Sequence, residues 1–397
     1  MRRSGTITQR SEGHFQIRYN LGIDPLTGIR QRAAVSIKGT RKQAERKLNE
    51  LLDALECGLN PEPTKVNVSD FLKQWLETIH AQVSPRTHER YSEIVNNFLI
   101  PSFGNCLLTK LTPSAIQQVY NKWETSGRRD KKHGGLSPRS RLHIHRIFKS
   151  ALKYALQLQI IVRNPADAVK PPKVKKVSIT VLTVEQSTIL LKSLEETKLY
   201  WAVLLALTTG MRRGEILALR WRNVDFGKKT IRVVESLEQT KNRLRFKAPK
   251  TEKTRAVLLP DYAVEKLRTW KEEQAKQLAA ENITQTNDTL VCGRWDGEPV
   301  HPRTITHKFM SAIRRLPDLP RVRFHDLRHS HATQLLTAGI HPKIAQERLG
   351  HSSIMTTLDL YSHVTDTMQD EAASKLDEAF RSAANNKPSP TQSPKLG

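Results

Sequence analysis

The chain has 397 residues, 38% of them hydrophobic, which is enough for packed cores and for more than one domain. No apolar run reaches the ~18 residues of a membrane span and the opening MRRSGTITQR is not a secretory signal; Cys57, Cys106 and Cys292 are scattered, odd in number and without metal spacing, so a reduced cytoplasmic protein is expected. Net charge is +26, from 65 Lys and Arg against 39 Asp and Glu; the default partner of such an excess is nucleic acid, since no basic amphipathic segment favours a membrane surface.

In chain order, residues 1–59 read as a small unit. GTITQR, HFQIRYN and QRAAVSI alternate as short strands, with a turn at IDPLTGI. From Thr40 the segment TRKQAERKLNELLDALECG reads as a helix with the apolar stripe Leu48, Leu51, Leu52 and Leu55. A three-stranded sheet with one packed helix is expected. Its strand arginines Arg10, Arg18, Arg30 and Arg32 are candidates for a DNA groove, although such residues are more often simply solvated. Residues 60–65 form a linker by their prolines.

Residues 66–168 read as four helices with short connections. The first carries a cap at Ser69; the second opens at Ser84-Pro85 and runs through SPRTHERYSEIVNNFLIPSFG, with Tyr91, Ile94, Val95 and Phe98 on one face. The third opens at Thr112-Pro113 and the fourth at Ser137-Pro138. Arg128, Arg129, Lys131, Lys132, Arg139 and Arg141 suit phosphate contacts. Their ordinary reading is a charged loop and a solvated helix face, and the two are compatible. Residues 169–178 are a second linker, rich in proline and lysine.

Residues 179–384 read as mostly helical with a small sheet. LTVEQSTILLKSL and LYWAVLLALTTGMRRGEILAL are helices, the latter apolar enough to be buried and to hold Arg212 rigidly. TIRVVES, LRFKAPKT and RAVLLP are strands of one sheet, followed by helices at DYAVEKLRTWKEEQAKQLAA, HPRTITHKFMSAIRRL, FHDLRHSHATQLLTAG and HPKIAQERLGH. A last amphipathic helix, 367–381, bears Met368, Ala372, Leu376, Ala379 and Phe380, and needs a surface to cover that stripe. The tail 385–397 is Pro/Ser-rich and reads as disordered. The fold class is thus multidomain, mainly α with small β-sheets.

Six residues of the second half carry phosphodiester chemistry: Arg212, Lys250, His325, Arg328, His351 and Tyr361. Attack on a phosphodiester builds charge on two non-bridging oxygens. The planar guanidinium fork matches that charge with paired donors, so Arg212 and Arg328 can take a metal's part. His325 and His351 can move protons near neutrality. Lys250 can protonate a departing alkoxide, and a tyrosine can form a covalent phosphoester. Singly, each residue has a plain reading: Tyr361 a half-buried aromatic, Arg212 a solvated helix charge. His325, His329 and His331 could form a zinc cluster, but no cysteine lies nearby and the H-E-x-x-H spacing is absent.

In order and context these residues resemble the tyrosine recombinases, the phage-integrase family. TTGMRRGEILALRW resembles the first arginine motif, with Arg212 the catalytic arginine and Glu215 its buttress. KAPKTEKTRAVLLP resembles the lysine hairpin and puts that role on Lys250, with Lys247 and Lys253 on the same stretch. HDLRHSHAT supplies His325 and Arg328, ERLGHSS supplies His351, and LDLYSHV supplies the nucleophile Tyr361. The resemblance implies site-specific DNA recombination through a 3′-phosphotyrosyl link, without cofactor, metal or ATP. It implies double-stranded DNA as partner at core sites and at arm sites, the latter bound by 1–59. Residues 66–168 would be the core-binding domain and close on DNA opposite the catalytic domain, 179–384. A homotetramer on DNA is implied, with helix 367–381 docking on a neighbour and Tyr361 delivered within its own subunit or to another. A DNA-bending protein and an excision factor are plausible. Two other readings are a type IB topoisomerase, which needs no partner site, and a non-catalytic regulator, which would be expected to have lost a catalytic residue.

Overall fold

The alternating runs at the start form an antiparallel meander. In the computed structural model, strands β1 (Gly5–Ser11), β2 (His14–Ile23) and β3 (Arg30–Lys38) pair in that order, with Ile7 opposite Ile17 and Ile17 opposite Val35. Helix α1 (Arg41–Glu56) covers one face, burying Phe15, Ile17, Tyr19, Ala44, Leu51 and Leu55. A period of two on the strands and of 3.6 on the helix therefore meet in one small core. The structure describes residues 5–23, 28–56, 66–130, 133–175, 179–241, 243–248, 254–355, 357–358, 373–374, 376–378 and 380–382. The chain divides into two units, Met1–Lys176 and Val177–Gly397.

A second core in the first unit is helical: α2 (Val68–Ile79), α3 (Pro85–Ile94), α4 (Ile100–Phe103), α5 (Pro113–Thr125) and α6 (Pro138–Gln157). The Ser/Thr-Pro openings behave as expected. Ser84, Thr112 and Ser137 each accept a backbone N–H from the first turn, which leaves proline where no donor is needed. Two details differ from the sequence reading. The residue capping α2 is Asn67, not Ser69. The long second helix is also interrupted by a wide turn at Val95–Leu99, just before Pro101, which has no N–H to give the ladder.

The second unit is built around α8 (Leu199–Thr209), whose residues Ala202–Ala206 are wholly buried. Around it lie α7 (Val184–Lys192), α9 (Arg213–Ala218), α10 (Asp261–Ala280), α11 (Pro302–Arg314), α12 (Asp326–Thr337) and α13 (Pro342–Leu349). The expected single sheet is two. β4 (Val224–Asp225), β5 (Thr230–Val233) and β8 (Arg255–Leu258) form one; β6 (Ser236–Gln239) and β7 (Leu244–Lys247) form a separate hairpin. TIRVVES is thus split between sheets, because the chain leaves the first ladder after Val233 and β6, from Ser236, pairs with the incoming β7. Among the described residues no helix is long and apolar enough to cross a membrane. Of the expected helix 367–381, the described residues 373–374, 376–378 and 380–381 are helical.

Candidate active site

One glycine sets the position of the first arginine. The expected helix through LTTGMRRGE ends at Thr209, where Gly210 adopts φ +65° in the left-handed region. A Cβ there would lie 2.6 Å from both His331 Cδ2 and Leu349 Cδ2, so this turn needs glycine twice over. The chain restarts as α9 with Arg212 as its cap and Glu215 buried at its third position. Arg212 donates its backbone N–H to Glu215 Oε2 and its Nη1–H to Glu215 Oε1, both at 2.9 Å.

The C-terminus of α13 gathers three guanidinium groups. Its last carbonyls have no partner within the helix and lie at the negative end of the helix dipole. Arg255 Nε donates to Arg348 O at 3.2 Å, Arg328 Nη2 to Leu349 O at 2.7 Å, and Arg212 Nη2 to Gly350 O at 3.2 Å. Three successive oxygens thus hold three arginines that come from β8, α12 and the α9 cap. Gly350, at φ +65°, ends α13 and leads into His351. Arg328 is nearly buried, at 3% exposure, and its Nη1 also donates to Gly210 O at 2.7 Å. It therefore pins the ends of α8 and α13 together.

Glu215 is the counter-charge. It accepts Arg255 Nη1 at 3.0 Å on Oε1 and Arg255 Nη2 at 2.6 Å on Oε2, besides its two bonds from Arg212. Burial pushes its carboxyl up, but the bonds and charge of Arg255, followed by those of Arg212, outweigh this and hold it below the ordinary value. Arg328 is shifted down to about 9, first by burial and then by Arg212.

The histidines are held neutral. His351 is lowered to about 3 by burial, then by Arg328 and Arg212; its Nδ1 is 3.0 Å from the hydroxyl of buried Thr357. His325 caps α12 with its outer edge in solvent. Protein packed behind it, then His329 and Arg328, lower it to about 4, a shift that solvent tempers in size but not in direction. Phosphate charge would oppose these shifts, so both rings can take up a proton when an anion enters. His331 serves the frame. Its Nδ1 meets Leu207 O at 2.7 Å and its Nε2 accepts Arg348 Nε at 3.1 Å. Both ring nitrogens are engaged by protein groups, so it has no lone pair for the zinc reading.

Arg212, Glu215, His325, Arg328 and His351 thus lie in one unit, with Arg212, Glu215 and Arg328 tied to α13 or to one another. Lys250 and Tyr361 lie outside the described residues, as does Lys253. Lys247 forms an ion pair with Glu238 on the paired strand. Sequence reasoning missed Arg255; the one signal was its place five residues after Lys250.

The expected DNA-contacting residues fall into two groups. Arg10, Arg18, Arg30 and Arg32 are all exposed, and Arg10, Arg18 and Arg32 share the sheet face opposite the buried Ile17 and Tyr19. In the helical part, Arg139 lies with Arg90, His143 and Arg146 in a groove of about 590 Å³. Arg90 and Arg146 were not singled out, although Arg139, His143 and Arg146 follow helical spacing. Arg128 pairs with Asp130, and Arg129 donates to Asn97 O at 3.1 Å. Arg141, expected on the solvated face, is buried and bonded to Glu124 at 3.0 Å. Lys131 and Lys132 lie outside the described residues.

Comparison with known proteins agrees with this geometry. Residues 180–368 match the phage integrase family and residues 67–124 match the phage integrase N-terminal SAM-like domain. A tyrosine recombinase of Thermosipho africanus is 30% identical over 220 residues, which cover 55% of this chain and 69% of that protein. The ICEBs1 integrase of Bacillus subtilis is 26% identical over 376 residues, 94% of this chain and 99% of that protein. Among solved structures, the Tn1549 transposon integrase in complex with a circular-intermediate DNA superposes with a TM-score of 0.64 at 21% identity, covering 78% of this chain and 99% of that one. The chain belongs to the phage integrase family of tyrosine recombinases, and is an integrase of the phage or mobile-element type that cleaves and rejoins DNA strands.

Proposed function

We propose that residues 179–384 exchange DNA strands with Tyr361 as nucleophile and with Arg212, Lys250, His325, Arg328 and His351 as the groups that act on the phosphate. The supporting observation is the set of three carbonyls at the end of α13, which fixes Arg212 and Arg328 beside His351 before any substrate arrives. Fixed donors need no reorganisation as charge develops, and this is where most electrostatic catalysis arises.

The steps balance without an external energy source. Tyr361 Oη attacks phosphorus and its proton passes to a neighbouring base. The 5′-oxygen departs with a proton from Lys250, leaving a 3′-phosphotyrosyl bond. The 5′-hydroxyl of a partner strand then attacks that bond and tyrosine leaves protonated. Arg212 and Arg328 bind the non-bridging oxygens throughout, and His325 and His351 donate to them or relay protons. Glu215 orients Arg212.

The substrate is double-stranded DNA, bound at core sites by residues 66–168, including the Arg90–Arg139–Arg146 groove, and at arm sites by the exposed face of residues 1–59. The Tn1549 integrase, residues 82–397, was solved with a circular-intermediate DNA, which supports DNA as the substrate. The working form would be a homotetramer on DNA in the bacterial cytoplasm, aided by a DNA-bending protein and an excision factor. The test is Tyr361→Phe on a nicked duplex recovered from a random pool by covalent capture with the wild-type chain. The variant should bind that duplex and form no adduct; an adduct would remove Tyr361 from the role.

A further inference from the structure

We propose that Arg255 is a positioning residue which, by occupying Glu215, limits the Arg212 guanidinium to one bond with that carboxylate and leaves its hydrogens not bonded to Glu215 or Gly350 O for the phosphate. This rests on the catalytic reading above but concerns a residue that reading does not use.

A carboxylate offers about four lone-pair sites. On Glu215, Oε1 accepts Arg255 Nη1 at 3.0 Å and Arg212 Nη1 at 2.9 Å. Oε2 accepts Arg255 Nη2 at 2.6 Å and the Arg212 backbone N–H at 2.9 Å. The acceptor is saturated. Arg255 takes the fork-to-fork geometry, and the Arg212 guanidinium is left with a single bond to this carboxylate.

Without Arg255, both oxygens would have a site open. A bidentate Arg212–Glu215 pair would then become available, the strongest arrangement for these two groups. It would turn the fork of Arg212 inward and neutralise it. Arg255 prevents this, and its third bond, to Arg348 O, holds it in place beside Gly350. At 12% exposure the Arg255 side chain is also shielded from the water that would otherwise weaken the pair.

The experiment compares adduct formation by full-length Arg255→Met, with and without Glu215→Gln, against the wild type on the captured nicked duplex between pH 6 and 9. Arg255→Met should slow the adduct on the order of 100-fold, as expected for a misplaced catalytic group, with duplex affinity retained. Losing Arg255 leaves burial of Glu215 less opposed, so its carboxyl titrates higher. The rate relative to wild type should therefore rise as pH falls and Glu215 releases Arg212. Glu215→Gln should restore part of the Arg255→Met rate, because a neutral amide cannot sequester Arg212. A merely structural Arg255 would give a loss equal at every pH and deepened by Glu215→Gln; either that pattern or a wild-type rate overturns the proposal. If Arg255→Met does not fold, Arg255→Lys carries the same comparison, with a single ammonium in place of the fork. A wild-type chain that forms no adduct on any nicked duplex overturns the catalytic reading together with this one.

Discussion

Arg328→Lys separates charge from geometry at the most buried cation of the site. Arginine reaches Gly210 O and Leu349 O at 2.7 Å each with its two terminal nitrogens, joining the ends of α8 and α13. A lysine ammonium keeps the charge but brings one nitrogen, so one of the two buried carbonyls loses its partner. That costs about 1–3 kcal/mol. For a unit of this size, 1 kcal/mol is worth about 2–4 °C, so calorimetry of the full chain should show its second unit melting about 2–12 °C lower. Adduct formation on the captured duplex should fall further, by the roughly 3–4 kcal/mol typical of a lost transition-state donor, or on the order of 100- to 1000-fold. A variant with unchanged melting and a near-normal adduct rate would refute the claim that the fork is needed in both places.

Other outcomes follow from the same geometry. Lys250→Ala should slow cleavage and recover on a 5′-bridging phosphorothiolate, whose sulfur departs without a proton, whereas Lys247→Ala, at a residue tied to Glu238, should cleave normally; the rescue pattern in Lys247→Ala instead would exchange their roles. Gly210→Ala forces a side chain into φ +65° and within 2.6 Å of His331 and Leu349, so it should cost about 1–3 kcal/mol of stability and weaken cleavage through the seat of Arg328; wild-type melting would contradict this. Acid should destabilise the second unit. His325, His331 and His351 are lowered from 6.5 to about 4, 4 and 3, so the unfolded chain binds more protons between about pH 4 and 6.5, and the stability present at pH 7 is lost as pH falls through that window. A melting temperature at pH 5 equal to or above that at pH 7 would contradict it.

The parts of the fold written in local rules were readable from the chain. Ser84-Pro85, Thr112-Pro113 and Ser137-Pro138 announce helix starts because cap and missing donor lie side by side. The first sheet declares its faces because buried Phe15, Ile17 and Tyr19 alternate with the polar His14, Gln16, Arg18 and Asn20, which are exposed or half-buried. What escaped depends on distant pairing. Arg255 opens a strand with nothing local to mark it; only the fold brings it to Glu215, 40 residues earlier. The break at Gly210 lies inside a segment that reads as one helix, and the side chains a Cβ there would meet, His331 and Leu349, come from elsewhere in the chain. Arg141 lies in a basic stretch, yet it is buried and pairs with the exposed Glu124, 17 residues earlier. Order and residue type pointed to the chemistry; the helix end that organises the arginines had no signature beyond the glycine of LGH.

The most direct measurement is the chemical identity of the protein–DNA link. Wild-type adduct formed on the nicked duplex in the presence of EDTA should be digested and sequenced by mass spectrometry. The account predicts one modified peptide, carrying a 3′-phosphonucleotide on the oxygen of Tyr361. A link to any other residue, a 5′-linked nucleotide, or a dependence of the link on divalent ions would contradict it.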